Sequence, residues 1–594
     1  MILQSLCGYY DRLAEEPSGN VPVMGYEVNN ISSCITLDAD GNVVGVISLL
    51  NDDKKPVKLI TPIQPKRAGQ RPEPAFLCEN PEFIFGIYKN EAGADYRFHA
   101  SKEMHEKVLK NVDDVGATAV LSFFEKREKG RFSYIKTDTT ALESGGNIIF
   151  RLKGEDKYIH ERPAIKNAWM QYLSQKTAEA EIGQCLITGE TAPIARLHGN
   201  VGGFGADKPT LVAFKQDSFV SYRKVQGANA PVSELAAFKY ITALDSLISD
   251  RNHRINLFGD KVVFWAERNA PLEESAIGYF FGGKIADAND NAGSDETVLN
   301  ERESRKIKSV LASLYTGKNP EELGMDASVR FYILGISSNK TRLVIRFFYT
   351  DTFGVLINRL LMHYNDIGVT GPEREPENPS LFQILLETAV NRDRKNVPPT
   401  LESALIRSIL WGTPYSYSLF IAILNRIRAE ANNDSSKAIN RTRVGVLKGY
   451  LNRMSKFNNN GEMVTMALNE QETNTAYLLG RIFALLEKAQ YDALGKVNAS
   501  IVDKYLNSAL ATPQTVFPML LTLAEKHISK SEKYYIKMQI GKIVDMISTE
   551  GFPQTLNSEE QGKFMIGYYH QRQALYTKNI TEPEVDNEGG NENV

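Results

Sequence analysis

Apolar and polar residues alternate along "CITLDADGNVVGVISL" (Cys34–Leu49) on both sides of an Asp40-Gly41 turn, which predicts a β-hairpin. Before it, Ile2, Leu3, Leu6, Tyr10 and Leu13 recur at helical spacing. Further strands are expected at "PEFIFGIY" (Pro81–Tyr88), "TLVAFK" (Thr210–Lys215) and "KVVFWAE" (Lys261–Glu267), separated by Gly- and Pro-containing loops. Residues 1–290 therefore read as an irregular α+β domain. The polar, acidic stretch 285–304 has few apolar anchors and marks a boundary or long surface loop. After it, "VRFYILGISSNKTRLVIRFFYTDTFGVLINRLLMHY" predicts a ββα unit within 300–370, with Arg342 and Arg346 on one face and Leu343, Ile345 and Phe347 on the other.

A Pro-rich segment, "TGPEREPENP", opens a helical connecting region over 371–460, and "FNNNGE" (Phe457–Glu462) breaks the chain again. Residues 463–578 predict a helical bundle. Leu478, Ile482, Leu485, Leu486 and Ala489 share one helix face, as do Ile536, Ile540, Ile543, Val544 and Ile547. Asn498 is placed to cap a helix carrying Ile501, Val502, Tyr505, Leu506 and Leu510; Thr512-Pro513 fits an N-cap followed by Pro at the first helical position. An amphipathic segment from about Ser558 to Tyr576 precedes an acidic tail, 579–594, expected to be disordered. The fold class is α+β multidomain: an irregular mixed N-terminal domain, then a helical region and a C-terminal helical bundle.

Composition adds mainly exclusions. At 594 residues the chain exceeds one core, and 42% hydrophobic with 24% charged residues is an ordinary globular balance. Its 69 basic and 72 acidic residues leave a net charge of −3, so any anion site must be local. Cys7, Cys34, Cys78 and Cys185 form neither a disulfide framework nor C-x-x-C pairs. The opening residues lack a basic leader, and no apolar run reaches about 18 residues. A soluble chain in a reducing cytoplasm, with no membrane partner, is expected.

No catalytic constellation stands out, and no metal or cofactor is expected. "GGFGADK" (Gly202–Lys208) lacks the G-K-[ST] ending of a phosphate loop, and the eight histidines show no metal-ligand spacing. His160-Glu161 and His570 remain formal acid–base groups.

Binding chemistry is better represented. "SYRKVQGANAPVSELAAFKY" (Ser221–Tyr240) sets polar residues just ahead of a helix. With the preceding glycines Gly199, Gly202, Gly203 and Gly205 it offers Asn200, Lys208, Lys215, Gln216, Ser218, Tyr222, Arg223, Lys224, Gln226 and Asn229. Glycines let backbone N–H groups approach a phosphate, Lys and Arg neutralise it, and the amides of Gln226 and Asn229 suit base edges. The N-terminal N–H groups of the helix after Ser233-Glu234 could hold a further phosphate. "PIQPKRAGQRPEP" supplies Lys66, Arg67, Gln70 and Arg71, and Lys526, Lys530, Lys533 and Lys537 would align on one side of an unbroken helix. The plainer alternatives are a solvated loop capping a helix, a linker carrying surface charges, and a solvated lysine face.

The stretches "CLITGETAPIARLHGNVGGFG", "LVAFKQDSFVSYRKVQGANAPVSELAAFKYITAL", "AYLLGRIFALLEKAQYDAL" and "QGKFMIGYYHQR", with "RPEPAFLCENPEFIFGIY" near the start, resemble the large subunit of the type I-C CRISPR interference (Cascade) complex. The resemblance covers essentially the whole chain. It implies a non-enzymatic subunit of an RNA-guided ribonucleoprotein that recognises the protospacer-adjacent motif in double-stranded DNA, promotes R-loop formation, helps hold the displaced strand and helps recruit a helicase-nuclease. Implied partners are CRISPR RNA-bound backbone subunits, a crRNA-processing subunit, a small subunit, and the target duplex with its displaced strand. It further implies that the C-terminal region corresponds to a small subunit producible from an internal start. Met463 and Met466 follow the "NNNGE" break, and Asn469 with Glu472 looks like a capping box for the next helix. The alternatives carried forward are a hydrolase or nuclease with a degenerate site at His160, Glu161 and Gly199–Gly205, and a scaffold touching protein only.

Overall fold

Strand β1 (Tyr26–Leu37) organises the first part of the protein, and its burial changes halfway along, from alternating to continuous. The reason is pairing. Its first half lies antiparallel to β3 (Val57–Pro62), whereas its second half lies antiparallel to β2 (Val43–Ser48) and parallel to β4 (Asn147–Leu152). The expected hairpin is present: the Asp38 carboxylate accepts the N–H groups of Asp40 and Asn42, and Gly41 turns with φ +79°. A Cβ on Gly41 would stand 2.5 Å from the Ala119 carbonyl oxygen, so helix Val115–Glu128 and the hairpin meet backbone to backbone.

The computed structural model describes residues 1–16, 21–65, 73–86, 94–128, 145–176, 181–205, 209–214, 216–281, 313, 318–432, 435–461, 463–547 and 551–577. The chain is mixed α and β, with a largely helical C-terminal region. It forms two compact units, Met1–Ser246 and Leu247–Val594. No described helix is long and apolar enough to cross a membrane.

Two expected strands of the first unit are not strands. Pro81–Phe85 is a short helix, because the Asn80 side chain accepts the Glu82 N–H, Pro81 sits at the first helical position, and Gly86 (φ +65°) ends the turn. Thr210–Phe214 is irregular chain beside a cleft, its apolar side chains half-buried rather than paired in a sheet. Helix Ile2–Glu15 forms as expected and packs against helix Glu234–Ser249: Tyr10 meets Phe238 edge-on at 5.8 Å, and Lys239 pairs with Asp11 at 2.7 Å.

In the first unit β5 (Ile182–Gln184) and β6 (Thr191–Pro193) pair as a small antiparallel ribbon. In the second unit, β7 (Arg254–Asn256), β8 (Lys261–Ala266), β9 (Arg330–Asn339) and β10 (Arg342–Thr352) form an antiparallel sheet in the order β10-β9-β8-β7. The expected boundary at 285–304 lies outside the described residues, yet the strands on either side of it pair directly; the compact units divide upstream, at Ser246/Leu247. The ββα unit is present, closed by helix Phe353–Ile367 with Thr352 as its cap. One detail differs. A register shift between Ile345 and Phe347 turns Ile345 outward, 45% exposed, while Leu343 and Phe347 stay buried.

A single hydrophobic core runs from Leu257 to Tyr569, so the C-terminal bundle is continuous with the helices before it. Helices Thr475–Leu494 and Ser558–Thr577 cross at glycines: a Cβ on Gly480 would lie 2.0 Å from the Phe564 carbonyl oxygen. The last helix also lies on helices Tyr417–Glu430 and Arg441–Asn458, where a Cβ on Gly562 would meet the Phe420 ring at 2.7 Å. It is therefore buried continuously along Phe564–Gln571, rather than presenting one amphipathic stripe. Ser500, not Asn498, caps helix Ile501–Ala511, and Asn474, not the Asn469–Glu472 pair, caps Thr475–Leu494.

Candidate nucleic-acid interface

The segment 185–233 is tied at its base. Ala195 N–H donates to Val232 O, Leu186 N–H to Pro231 O, and Gly227 N–H to Arg196 O at 3.0 Å. The buried Cys185 Sγ accepts the Ser233 and Ile187 N–H groups; burial raises its pKa, but the Ser233 and Thr188 hydrogen bonds outweigh that and bring it down to about 6. Gly227 has no alternative, since a Cβ there would stand 2.1 Å from Ala195 O. These bonds tie the base to the start of helix Glu234–Ser249, while residues 216–225 between them are exposed.

The glycine-rich stretch makes its first attachment inward. Gly202 N–H donates to the Asp245 carboxylate at 2.7 Å, and the buried His198 pairs through Nδ1 with the Tyr240 hydroxyl. An internal carboxylate thus occupies a backbone donor that the sequence offered to a phosphate. Likewise, the Ala236 N–H at the start of the helix donates to Ser233 Oγ. Asn200 is exposed, and Lys208 and Lys215 lie outside the described residues, as do Lys66, Arg67, Gln70 and Arg71.

Residues 216–226 form a finger. Asp217–Phe219 is a 3-10 turn, and Lys224 N–H donates to Ser221 O at 2.9 Å, closing a two-residue turn on Tyr222 and Arg223. Both central residues have positive φ, 51° and 62°, and Gln226 follows at 48°. Such a turn favours Asn-Gly; holding bulky residues there costs roughly 1–3 kcal/mol each. Side chains brace it. Asn229 Oδ1 accepts Ser221 N–H, Asn229 Nδ2 donates to Lys224 O and Gln226 O, and Gln226 Oε1 accepts Arg196 Nη1 at 3.1 Å.

The strain presents Tyr222 at 95% exposure, with Arg223 and Lys224 exposed beside it and Gln216, Ser218, Phe219, Val220 and Val225 exposed on the same finger. An aromatic tip followed by two cations can stack on a base while they neutralise phosphates. Asn229 cannot read a base edge in this arrangement, because both donors and its oxygen already serve the finger. Sequence reasoning missed Arg196, His198 and Asp245 as braces: each acts through a partner distant in sequence.

A family model described as CRISPR-associated protein (Cas_Csd1) matches residues 6–576. The chain belongs to that family. No curated protein matches it significantly.

In this Cas_Csd1 member, the other expected cation site is rearranged. Helix Pro513–Ser531 ends with Glu532 at φ +58°, and a new helix, Tyr534–Asp545, begins after Lys533. Lys526, Lys530, Lys533 and Lys537 are all exposed but straddle a corner instead of lining one helix, and Lys537 pairs with Glu525 at 3.2 Å. The formal acid–base groups have local contacts. His160 Nε2 lies 3.1 Å from Ile60 O, Glu161 accepts the Tyr158 N–H, and His570 Nδ1 lies 3.0 Å from the Tyr477 hydroxyl. Burial pushes both imidazoles down to about 4, which keeps them neutral near pH 7.

Proposed function

We propose that this Cas_Csd1 protein is the large subunit of a type I-C CRISPR interference complex and that its finger, residues 216–226, grips target DNA near the protospacer-adjacent motif. Family membership supports the assembly, and the observation that carries the DNA contact is the strained, braced turn holding Tyr222 outward beside Arg223 and Lys224. Arg223 and Lys224 neutralise phosphates, Tyr222 stacks where pairing opens, and Gln226, already oriented by Arg196, stands closest to base edges. Asn200, Gln216 and Ser218 add polar contacts.

In this reading the polypeptide breaks no bond. Guide pairing supplies sequence information, and the backbone subunits, crRNA-processing subunit, small subunit and helicase-nuclease are its partners. The displaced strand follows the corner at Lys526, Lys530 and Lys533, where Tyr534 is 58% exposed and offers a stacking face. A product started at Met463 or Met466 retains the Asn474 cap. It loses Asn452, whose side-chain amide exchanges hydrogen bonds with Val464 N–H and O in the full chain.

The test is binding of the assembled complex to target duplex from about 50 to 200 mM salt. Replacing Tyr222, Arg223 and Lys224 together by alanine should weaken binding and flatten its salt dependence. Unchanged affinity and slope would refute the assignment, and metal-dependent cleavage by the purified chain would favour a nuclease instead.

A further inference from the structure

Behind the finger lies a pocket of about 230 Å³ whose lining includes Arg196, His198, Asn200, Thr210, Phe214 and Gly227. It is smaller than the roughly 300–1,000 Å³ that encloses a whole drug-sized ligand, and suits a single flat ring system. His198 carries an additional signal. The residue is 6% exposed, its Nδ1 is engaged by Tyr240, and its Nε2 is buried without a hydrogen-bond partner. A buried polar atom left unsatisfied costs about 1–3 kcal/mol, and a small rotation of the ring is needed to turn Nε2 towards a pocket guest.

The other walls fit the same kind of guest. Phe214 supplies an aromatic wall, and Asn200, exposed at the pocket, can donate and accept together. Gly227 admits no side chain, because its Cβ would meet Ala195 O. Two contacts join this pocket to the finger: Arg196 Nη1 to Gln226 Oε1, and Phe214 to Phe219 edge-on at 6.2 Å. The finger's cations are thereby placed on the same loop as an aromatic, amide-lined cavity.

We infer that the pocket lined by Arg196, His198, Asn200, Phe214 and Gly227 receives one extruded base of the bound DNA, an inference that rests on the DNA-binding reading above. A base leaving the stack loses stacking and pairing. It regains contact on Phe214 and hydrogen bonds to the exposed Asn200, while Arg223 and Lys224 hold the neighbouring backbone. The pocket makes the finger a device that captures an opened base as well as one that touches the duplex.

The experiment uses the full chain and a forked DNA whose unpaired arm and junction are made abasic one position at a time. Wild type is compared with Asn200→Ala and with Ala213→Leu, which narrows the pocket, after their unfolding midpoints are shown to match. The expected result is one position at which removing the base weakens wild-type binding about tenfold; both variants bind intact fork about tenfold more weakly, and neither differs from wild type when that base is absent. Tight binding with no such position, or variant penalties equal at every position, overturns the pocket while leaving the finger standing. No binding of any fork at about 50 mM salt overturns the pocket and the DNA-binding reading together.

Discussion

The side-chain oxygen of Asn229 accepts the backbone N–H of Ser221 at 3.0 Å, across the neck of a finger whose tip is strained. The same amide donates to Lys224 O and Gln226 O, so it holds the loop in shape from inside. Asn229→Ala should therefore weaken binding to every DNA alike, without relaxing preference for a particular motif. It should also raise tryptic cleavage after Arg223 and Lys224 several-fold and destabilise the protein by about 1–3 kcal/mol, since it removes three hydrogen bonds each worth about 1 kcal/mol net. Comparing cleavage rates and motif selectivity of the two proteins checks both. A selective loss of motif discrimination with an intact finger would return Asn229 to base reading.

Tyr222 provides a sharper separation of strain from contact. Tyr222→Gly relieves an unfavourable φ of 51° and removes the exposed ring, so the finger should be no less stable, by up to about 1 kcal/mol the other way, yet DNA binding should fall by about 1–3 kcal/mol. Arg223→Ala and Lys224→Ala should each reduce the salt slope of binding by about one without changing sequence preference. Denaturation of the protein paired with salt titrations of binding would show whether affinity moves against stability, as a contact role requires.

Much of this was visible along the chain, and the failures have separate causes. The Asp40-Gly41 hairpin, β8, the ββα unit and the Thr475–Leu494 face announce themselves through local periodicity and turn chemistry. "PEFIF" alternates like a strand, but Asn80 and Pro81 start a helix there, a capping signal that outweighs an ambiguous apolar run. The lysine stripe failed at Glu532, where positive φ breaks the helix although no Gly or Pro stands between Lys526 and Lys537 to mark the corner. At the candidate site, the sequence exposed the polar finger itself. It could not show that Asn229 faces inward, or that His198 and Asp245 reach Tyr240 and Gly202, since those relationships exist only once helix Glu234–Ser249 lies behind the loop.

Helix packing in the second unit offers a test independent of function. A Cβ on Gly567 would stand 2.2 Å from Tyr477 O, and one on Gly480 would strike the backbone at Phe564 and Tyr568. Backbone cannot rotate aside as a side chain can, so Gly567→Ala or Gly480→Ala should cost about 3 kcal/mol or more by forcing the two helices apart. Gly541 lies on helix Tyr534–Asp545 with nothing within 4 Å of its added Cβ, so Gly541→Ala should stabilise by about 0.5–1 kcal/mol. Urea midpoints of the three variants measure the contrast; equal effects at all three positions would contradict the close crossing.

Glu402 gives the second unit a pH signature. It is 1% exposed, and Oε2 accepts the Phe258 and Gly259 N–H groups, while Oε1 has no partner. Burial, reinforced by the nearby Asp260 charge, raises its pKa from 4.5 to about 7 despite those donors. The folded state therefore binds the proton more tightly than the unfolded chain. Its contribution is fully present below about pH 4.5 and is lost as pH rises through about 7, amounting to on the order of 3 kcal/mol at its limit. Buried His363 and His570 act in the opposite sense, because their lowered pKa values cost stability as pH falls below 6.5. Total stability would mix these trends, but the difference between wild type and Glu402→Gln isolates one of them. The variant should gain on wild type between pH 5 and 8, by up to that amount, in denaturant titrations followed across the pH range; a difference that stays flat would mean Glu402 ionises normally in the folded protein.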